Sequence, residues 1–402
     1  MQSSGSPAGA PLEGVRVADL SRVLAGPYAT MVLADLGADV VKVERPGEGD
    51  ETRSWGPPYA GGVAAYFLSV NRSKRSIAVD LKHEEGRALV FELCARADVV
   101  IENFRPGAAA RLGLDAAAVQ ARNPGAVYCS ITGFGAREPR DRPGYDFVVQ
   151  AESGLMAVTG EPDGPPTKVG VALVDVLAGL HAATAILAAV RRRDATGAGE
   201  RIEVSLLDSA LAAMVNVGQN ALVTAEEPPR YGNAHPSIVP YQPFRARDGW
   251  VAVAAANDGL FVRLCGVLGR PQLATDVRFT TNAARVRNRS ELVPLLEDAF
   301  ATRDADAWLA DLDAAGVPAG KIRGALDALR AAAPSTMTVS HPTAGELELV
   351  AAPFALASGR LRAPTPPPLL GQHTREVLRE LELADARIEA LERAGVVAQA
   401  DA

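Results

Sequence analysis

The sequence predicts an α/β protein, with a large Rossmann-like layered domain on a parallel sheet followed by a smaller α+β domain. Three observations predict it. Over the first 205 residues, short β-branched runs alternate with helical stretches, the pattern of parallel strands joined by crossover helices. A Pro-, Gly- and Asn-rich stretch at residues 225–241 (AEEPPRYGNAHPSIVPY) then interrupts that alternation. The chain, at 402 residues, has material for two cores.

Taken in order, β-branched runs place strands at residues 16–20, 40–44, 76–81, 99–102, 127–132 and 201–204. Helical patterns fall between them at 27–36, 84–95 and 176–193, and another follows at 206–223. Residues 168–174 read as a strand end leading into the 176–193 helix, which closes on Arg191, Arg192 and Arg193, charges that suit a helix C-terminus. After the interruption a strand at 250–256 and helices at 259–268, 289–301 and 305–315 make the second domain. A hairpin is expected at 342–350, a stiff extended tether at 364–370 (PTPPPLL), and two closing helices across 374–397. The expected boundaries are a disordered tail at 1–10, the large domain at 11–224, the small domain with a substrate loop at 225–330, and a C-terminal segment at 331–402 returning to the large domain.

Composition narrows the function. The net charge is −7 and the 41 Lys and Arg are dispersed, which argues against nucleic acid or an anionic membrane as partner. Cys94, Cys129 and Cys265 lie far apart without CxxC spacing, and the opening MQSSGSPAGAP has no leader pattern, so a reducing, cytoplasmic location is expected. The five histidines form no HxH or HxxxH pair, so no metal is expected. Residues 169–190 (VGVALVDVLAGLHAATAILAAV) are long enough to span a membrane, but they contain Asp175, Gly170, Gly179 and His181 and read as a core helix.

Asp175 is the only ionisable carboxylate in that stretch. Burying its charge costs several kcal/mol or shifts its pKa upward. Two readings stay open from the residues alone: a helix N-cap, or a group kept for chemistry. Arg22, Arg45, Lys82, Arg105 and Arg111 each fall at or just past the carboxyl end of an expected strand, the edge at which open α/β sheets bind ligands; any one of them taken singly reads better as solvated surface, and their common placement raises the set. No GxGxxG follows the first strand, where SRVLAGP stands, and neither GxxxxGK[ST] nor GxSxG occurs. Dinucleotide, P-loop and serine-hydrolase chemistry are thereby disfavoured.

The stretches PLEGVRVADLSRVLAGPYATMVLADLGADVVKVERPGEGDETRSW, NRSKRSIAVDLK, ADVVIENFRPGAAARLGL, YCSITGFG, RPGYDFVVQAESGLMAVTG, VALVDVLAGLHA and PPPLLGQHTREVL resemble, in the same order, the family III CoA-transferases. The resemblance covers essentially all of the chain after about residue 10. It implies two chains interlocked as a homodimer, an acyl-CoA and a small carboxylic acid as substrates, and no permanently bound cofactor. It implies that Asp175, in VALVDVLAGL, is the nucleophile. It also implies that Val23, Ala25, Arg45, Lys82, Asn103, Phe104 and Arg111 bind CoA, whose phosphates need Arg or Lys. Tyr66 and Tyr145 match tyrosines that line the acyl pocket in some relatives, with core packing an equal reading for Tyr66. His235 is a candidate contact for the acceptor, with a loop-rigidifying hydrogen bond as its alternative.

Departures from the family refine the activity. Racemases of the family carry a histidine in a GHD motif, where this chain has Gly144, Tyr145 and Asp146; a phenol titrating near pH 10 is no substitute base. Formyl-CoA transferases carry Gln where Leu24 stands, and glycines in the small-domain loop. Here that loop is YGNAHPSIVPYQ, residues 231–242, which resembles the branch that uses succinyl-CoA and a dicarboxylate such as glutarate or hydroxymethylglutarate. An epimerase, a formyl-CoA-type transferase, a nicotinamide-dependent oxidoreductase and a non-catalytic acyl-CoA carrier are the rival readings.

Overall fold

The computed structural model describes residues 9–135, 142–332, 335–357 and 361–400; residues 1–8 of the expected N-terminal tail lie outside them. The chain divides into two compact units. The first comprises Met1–Gly154, Val169–Gln219 and Ala332–Ala402, and the second Leu155–Lys168 and Asn220–Ala331. Residues 155–168, which the sequence reading assigned to the large domain, thus group with the second unit.

Six parallel strands form the first unit's sheet: β1 (Arg16–Asp19), β2 (Asp39–Glu44), β3 (Lys74–Val79), β4 (Val99–Glu102), β5 (Val127–Thr132) and β6 (Arg201–Ser205), in the order β3-β2-β1-β4-β5-β6. The central strand β4 (VVIE) is a nearly continuous apolar run, as expected where helices cover a parallel sheet on both faces, while the edge strand β6 (RIEVS) alternates. In β4, Val99, Val100 and Ile101 have no exposed surface. Burying such a side chain contributes about 1.5–3 kcal/mol. A further strand, Val397–Ala398, adds to β3 antiparallel at that edge.

Among the helices of this unit are α1 (Ala25–Asp35), α2 (Ala65–Val70), α3 (Glu84–Arg96), α4 (Asp146–Glu152) and α5 (Leu173–Thr196). Local chemistry sets their ends. The α3 helix opens on His83, whose Nδ1 accepts the Glu85 N–H at 3.3 Å, carries Glu84 and Glu85 in its first turn, and ends on Arg96. The α5 helix stops at Gly197, at φ 73, a conformation that costs glycine nothing. One core gathers Val41, Ile77, Val90, Val100 and Tyr128 with Val377, Leu378, Ile388 and Leu391 of the helices Thr374–Glu380 and Asp385–Arg393. The second unit has its own core, built on the antiparallel strands Tyr241–Arg245, Trp250–Ala254 and Ala319–Lys321. There Phe244 stacks on Phe300 at 4.7 Å, and the fully buried Arg285 is satisfied by Asp258 and the carbonyls of Val239 and Phe279.

Three elements differ from the sequence reading. Residues 168–172 form no strand, and the helix begins at Leu173 rather than 176. The expected helix at 206–223 is two helices, Leu206–Ala213 and Val215–Thr224, bent by 79°. The hairpin pairs Thr336–His341 with Gly345–Val350, so its first strand lies upstream of the expected span. At 168–172 the apolar run was long enough for either element, and tertiary contacts chose.

Candidate active site

The strand order reverses around β1, which pairs with β2 on one side and β4 on the other. Loops leaving the carboxyl ends of β1 and β4 therefore diverge and open a crevice. The first wall is the loop from β1 into α1. Val23 sits there at φ 69, left-handed backbone that a β-branched residue resists at a cost of about 1–3 kcal/mol. Its N–H donates to the Asp50 carboxylate at 3.2 Å. Burial alone would raise the Asp50 pKa, but the Lys42 ammonium 2.9 Å away holds it down at about 2, so Asp50 stays charged. Lys42 also donates to the Ser21 carbonyl at 2.8 Å. Lys74, pulled down to about 8 by burial, donates to Asp19 at 3.2 Å and to the Pro27 carbonyl at 2.9 Å. Asn103, at the end of β4, accepts the Arg22 N–H at 2.9 Å and donates to the Arg22 carbonyl at 2.7 Å. A buried ionic network and one amide thus hold the strained loop in place.

The second wall is the start of α5, where Asp175 is the third helical residue and not the N-cap. Ala172 occupies the cap position and has no side chain able to bond the free N–H groups. Asp146 supplies that bond from α4: its Oδ1 accepts the N–H of Val174 at 2.8 Å and of Asp175 at 3.3 Å. Gln150, one turn later in α4, donates to Asp146 Oδ2 at 2.6 Å and accepts the Val169 N–H at 2.9 Å. Two close approaches complete the wall. A Cβ on Gly179 would stand 2.7 Å from the Ala25 carbonyl oxygen, so α5 can lie against α1 only with glycine there. A Cβ on Gly133 would stand 2.7 Å from the Cα of Gly144, which brings the end of β5 against the segment entering α4.

Asp175 is 8% exposed, and burial, with the Asp146 charge adding to it, raises its pKa to about 7. Among the described residues no hydrogen bond reaches its carboxylate. A carboxylate in that state is poorly solvated and correspondingly nucleophilic. Tyr66 is half-buried, edge-on to Trp55 at 5.3 Å, and packs, as do Ala172 and Val176 of the α5 start, against the cluster of Leu24, Met31 and Val70. Burial, followed by the charges of Asp175, Asp146 and Asp50, pushes its phenol up to about 12, so it is a hydrogen-bond donor at neutral pH.

A pocket of about 330 Å³ is lined by Val23, Leu24, Ala25, Asn103, Phe104, Tyr145 and Asp175. A second, of about 320 Å³, is lined by Arg45, Lys82 and Phe104. The structure thus brings six of the seven expected CoA positions to these two cavities, four beside Asp175 and two apart from it, with Phe104 in both. Arg111 differs: it is exposed at the end of the helix Ala108–Leu112 and lines neither. Tyr145 is 57% exposed on the first pocket. His235 belongs to the second unit, where its Nδ1 accepts the Ser237 N–H at 3.0 Å and its ring lies against Tyr241, contacts that stiffen the loop. Sequence reasoning missed Asp146 and Gln150. Their i, i+4 spacing on a short helix after Gly144 was the available signal. Among the described residues no group of three His, Cys, Asp or Glu side chains could hold a metal ion.

Residues 12–374 match the family described as CoA-transferase family III. Succinyl-CoA:glutarate CoA-transferase of Mus musculus is 44% identical over 97% of this chain and 91% of its own length. Succinate–glutarate CoA-transferase of Agrobacterium fabrum is 42% identical over 92% of this chain and 96% of its own. The crystal structure of a CAIB/BAIF family protein from Brucella suis superposes with a TM-score of 0.82 at 43% identity, covering 93% of this chain and 100% of that one.

Proposed function

This chain belongs to CoA-transferase family III, and from that membership we propose that it moves CoA from succinyl-CoA to a dicarboxylic acid, with glutarate the first candidate acceptor. The observation that carries the site assignment is Asp175, buried, basic for a carboxylate, and lining one pocket with Val23, Ala25, Asn103 and Phe104. In the proposed reaction an Asp175 oxygen attacks the thioester carbonyl of succinyl-CoA, forming an aspartyl–succinyl anhydride and expelling CoA thiolate. The thiolate attacks the Asp175 acyl carbon, giving an aspartyl–CoA thioester and free succinate. The acceptor carboxylate attacks that thioester, and the thiolate released takes the new acyl group, which regenerates the Asp175 carboxylate. Covalent capture divides one difficult exchange into four easier additions. Bound acyl-CoA filling the pocket would keep water from the anhydride, and Tyr145, on the pocket, with Tyr66 near the start of α5, would offer hydroxyls to the acyl group or its second carboxylate. Arg45 and Lys82, in the second cavity, suit the phosphates of CoA.

The protein is further proposed to act as a homodimer. Phe147, Leu180, Leu211 and Val215, all of the first unit, are between 39% and 71% exposed, apolar surface that a second copy would cover. The activity is tested by incubating the protein with succinyl-CoA and a panel of C3 to C6 dicarboxylic acids and weighing the acyl-CoA products. Glutaryl-CoA is expected, and an Asp175→Ala variant should lose at least about a thousandfold in rate. Hydroxylamine trapping during turnover should modify residue 175. Labelling of another residue, or release of free CoA alone, overturns the reading.

A further inference from the structure

The two cavities share Arg22, Glu51 and Phe104 in their linings, and Arg22 and Glu51 are ion-paired there at 2.7 Å. Both side chains are close to half exposed, 48% and 43%. Their backbones are pinned. Asn103 grips both the N–H and the C=O of Arg22. Glu51 opens the short 3-10 helix Glu51–Ser54, whose cap Asp50 is tied to Lys42. Only the side chains are left to move.

The same loop holds a second arginine in the same way, since Arg45, also lining the second cavity, pairs with Glu48 at 2.7 Å. Two glutamates of one loop thus occupy two guanidinium groups at the rim of a cavity otherwise suited to phosphate. A ligand whose anionic end lies beside Lys82 and whose reacting carbonyl lies at Asp175 must run past the Arg22–Glu51 pair. A CoA thioester is such a ligand, and its pyrophosphate falls between those ends. Exposed ion pairs hold their partners weakly, while a guanidinium binds phosphate through two parallel hydrogen bonds.

We propose that Arg22 binds the CoA pyrophosphate by ligand exchange, its guanidinium leaving Glu51 for phosphate oxygens when the thioester enters. Glu51 keeps the guanidinium aimed at the passage in the free protein and competes with the ligand for it. The inference rests on the CoA-transferase reading.

The test is a double-mutant cycle on Arg22→Ala and Glu51→Gln, measuring KM for succinyl-CoA and the affinity for free CoA by calorimetry. Arg22→Ala should raise KM about tenfold or more, with the larger effect on KM than on kcat. Glu51→Gln should lower KM about threefold, because the competitor is gone, and that gain should vanish in the Arg22→Ala background. An equal gain in both backgrounds means that Glu51 merely repels phosphate, and overturns the exchange. Unchanged KM and CoA affinity in Arg22→Ala overturn it too. Calorimetry separates the two readings: CoA binding that depends on Arg22 without any transfer sinks the proposed function and leaves the exchange standing, while transfer without that dependence does the reverse.

Discussion

At the residue scale the chemistry turns on how basic Asp175 is. Burial raises its pKa first, and the Asp146 carboxylate, bonded to the same helix start, adds to it. With the pKa at about 7, the carboxylate is protonated and unreactive in acid and becomes the nucleophile as pH rises through that value. The rate of transfer at limiting acyl-CoA should therefore climb with an acid limb near pH 7. Asp146→Asn keeps an oxygen that can accept the Val174 N–H but removes the like charge. It should move that limb down by about one unit, and lower the melting temperature somewhat, because the new amide cannot accept the bond that Gln150 donates to Asp146 Oδ2. A pH–rate profile measures this, and a limb that stays in place in the variant would mean that Asp146 acts on the helix alone.

Elements meet the site through glycine. The α5 helix reaches the β1–α1 loop because Gly179 lets the Ala25 carbonyl come where a Cβ would lie. Gly179→Ala puts that Cβ 2.7 Å from an oxygen, so one helix must move. Overpacking of this kind costs about 1–3 kcal/mol. Urea denaturation should show that loss, and KM for succinyl-CoA should rise as well, because Ala25 lines the pocket with Asp175. Stability lost with KM untouched would detach the α1–α5 contact from the site. The buried Lys42–Asp50 pair works at this scale too, since it ties β2 to the strained backbone at Val23.

For the whole molecule, the surface near α4 and α5 points to a partner. Half of the most apolar window of the 24-residue α5 is buried in the fold, yet Leu180 and its neighbours face out. A second copy of this chain is the proposed cover. Sedimentation should give twice the chain's mass. Leu180→Glu combined with Leu211→Glu should shift it toward the single chain and lower the specific activity together with it. A dimer that survives both charges would place the interface elsewhere.

The parallel-sheet class, all six of its strands to within about two residues, and the isolated carboxylate at position 175 were legible in the sequence, because β-branched periodicity and a lone charge in an apolar run are local signals. The motif order was equally legible and carried the family. Long-range pairing decided the rest. The start of α5 at Leu173 follows from a cap supplied by Asp146, 28 residues earlier in the chain, and the grouping of 155–168 with the second unit follows from contacts across distant segments. Strand order, the clamp of Asn103 on Arg22 and the raised basicity of Asp175 are likewise properties of juxtaposed segments. A single residue's type and near neighbours state its propensity and charge, but burial and the field of distant carboxylates exist only once the chain has folded.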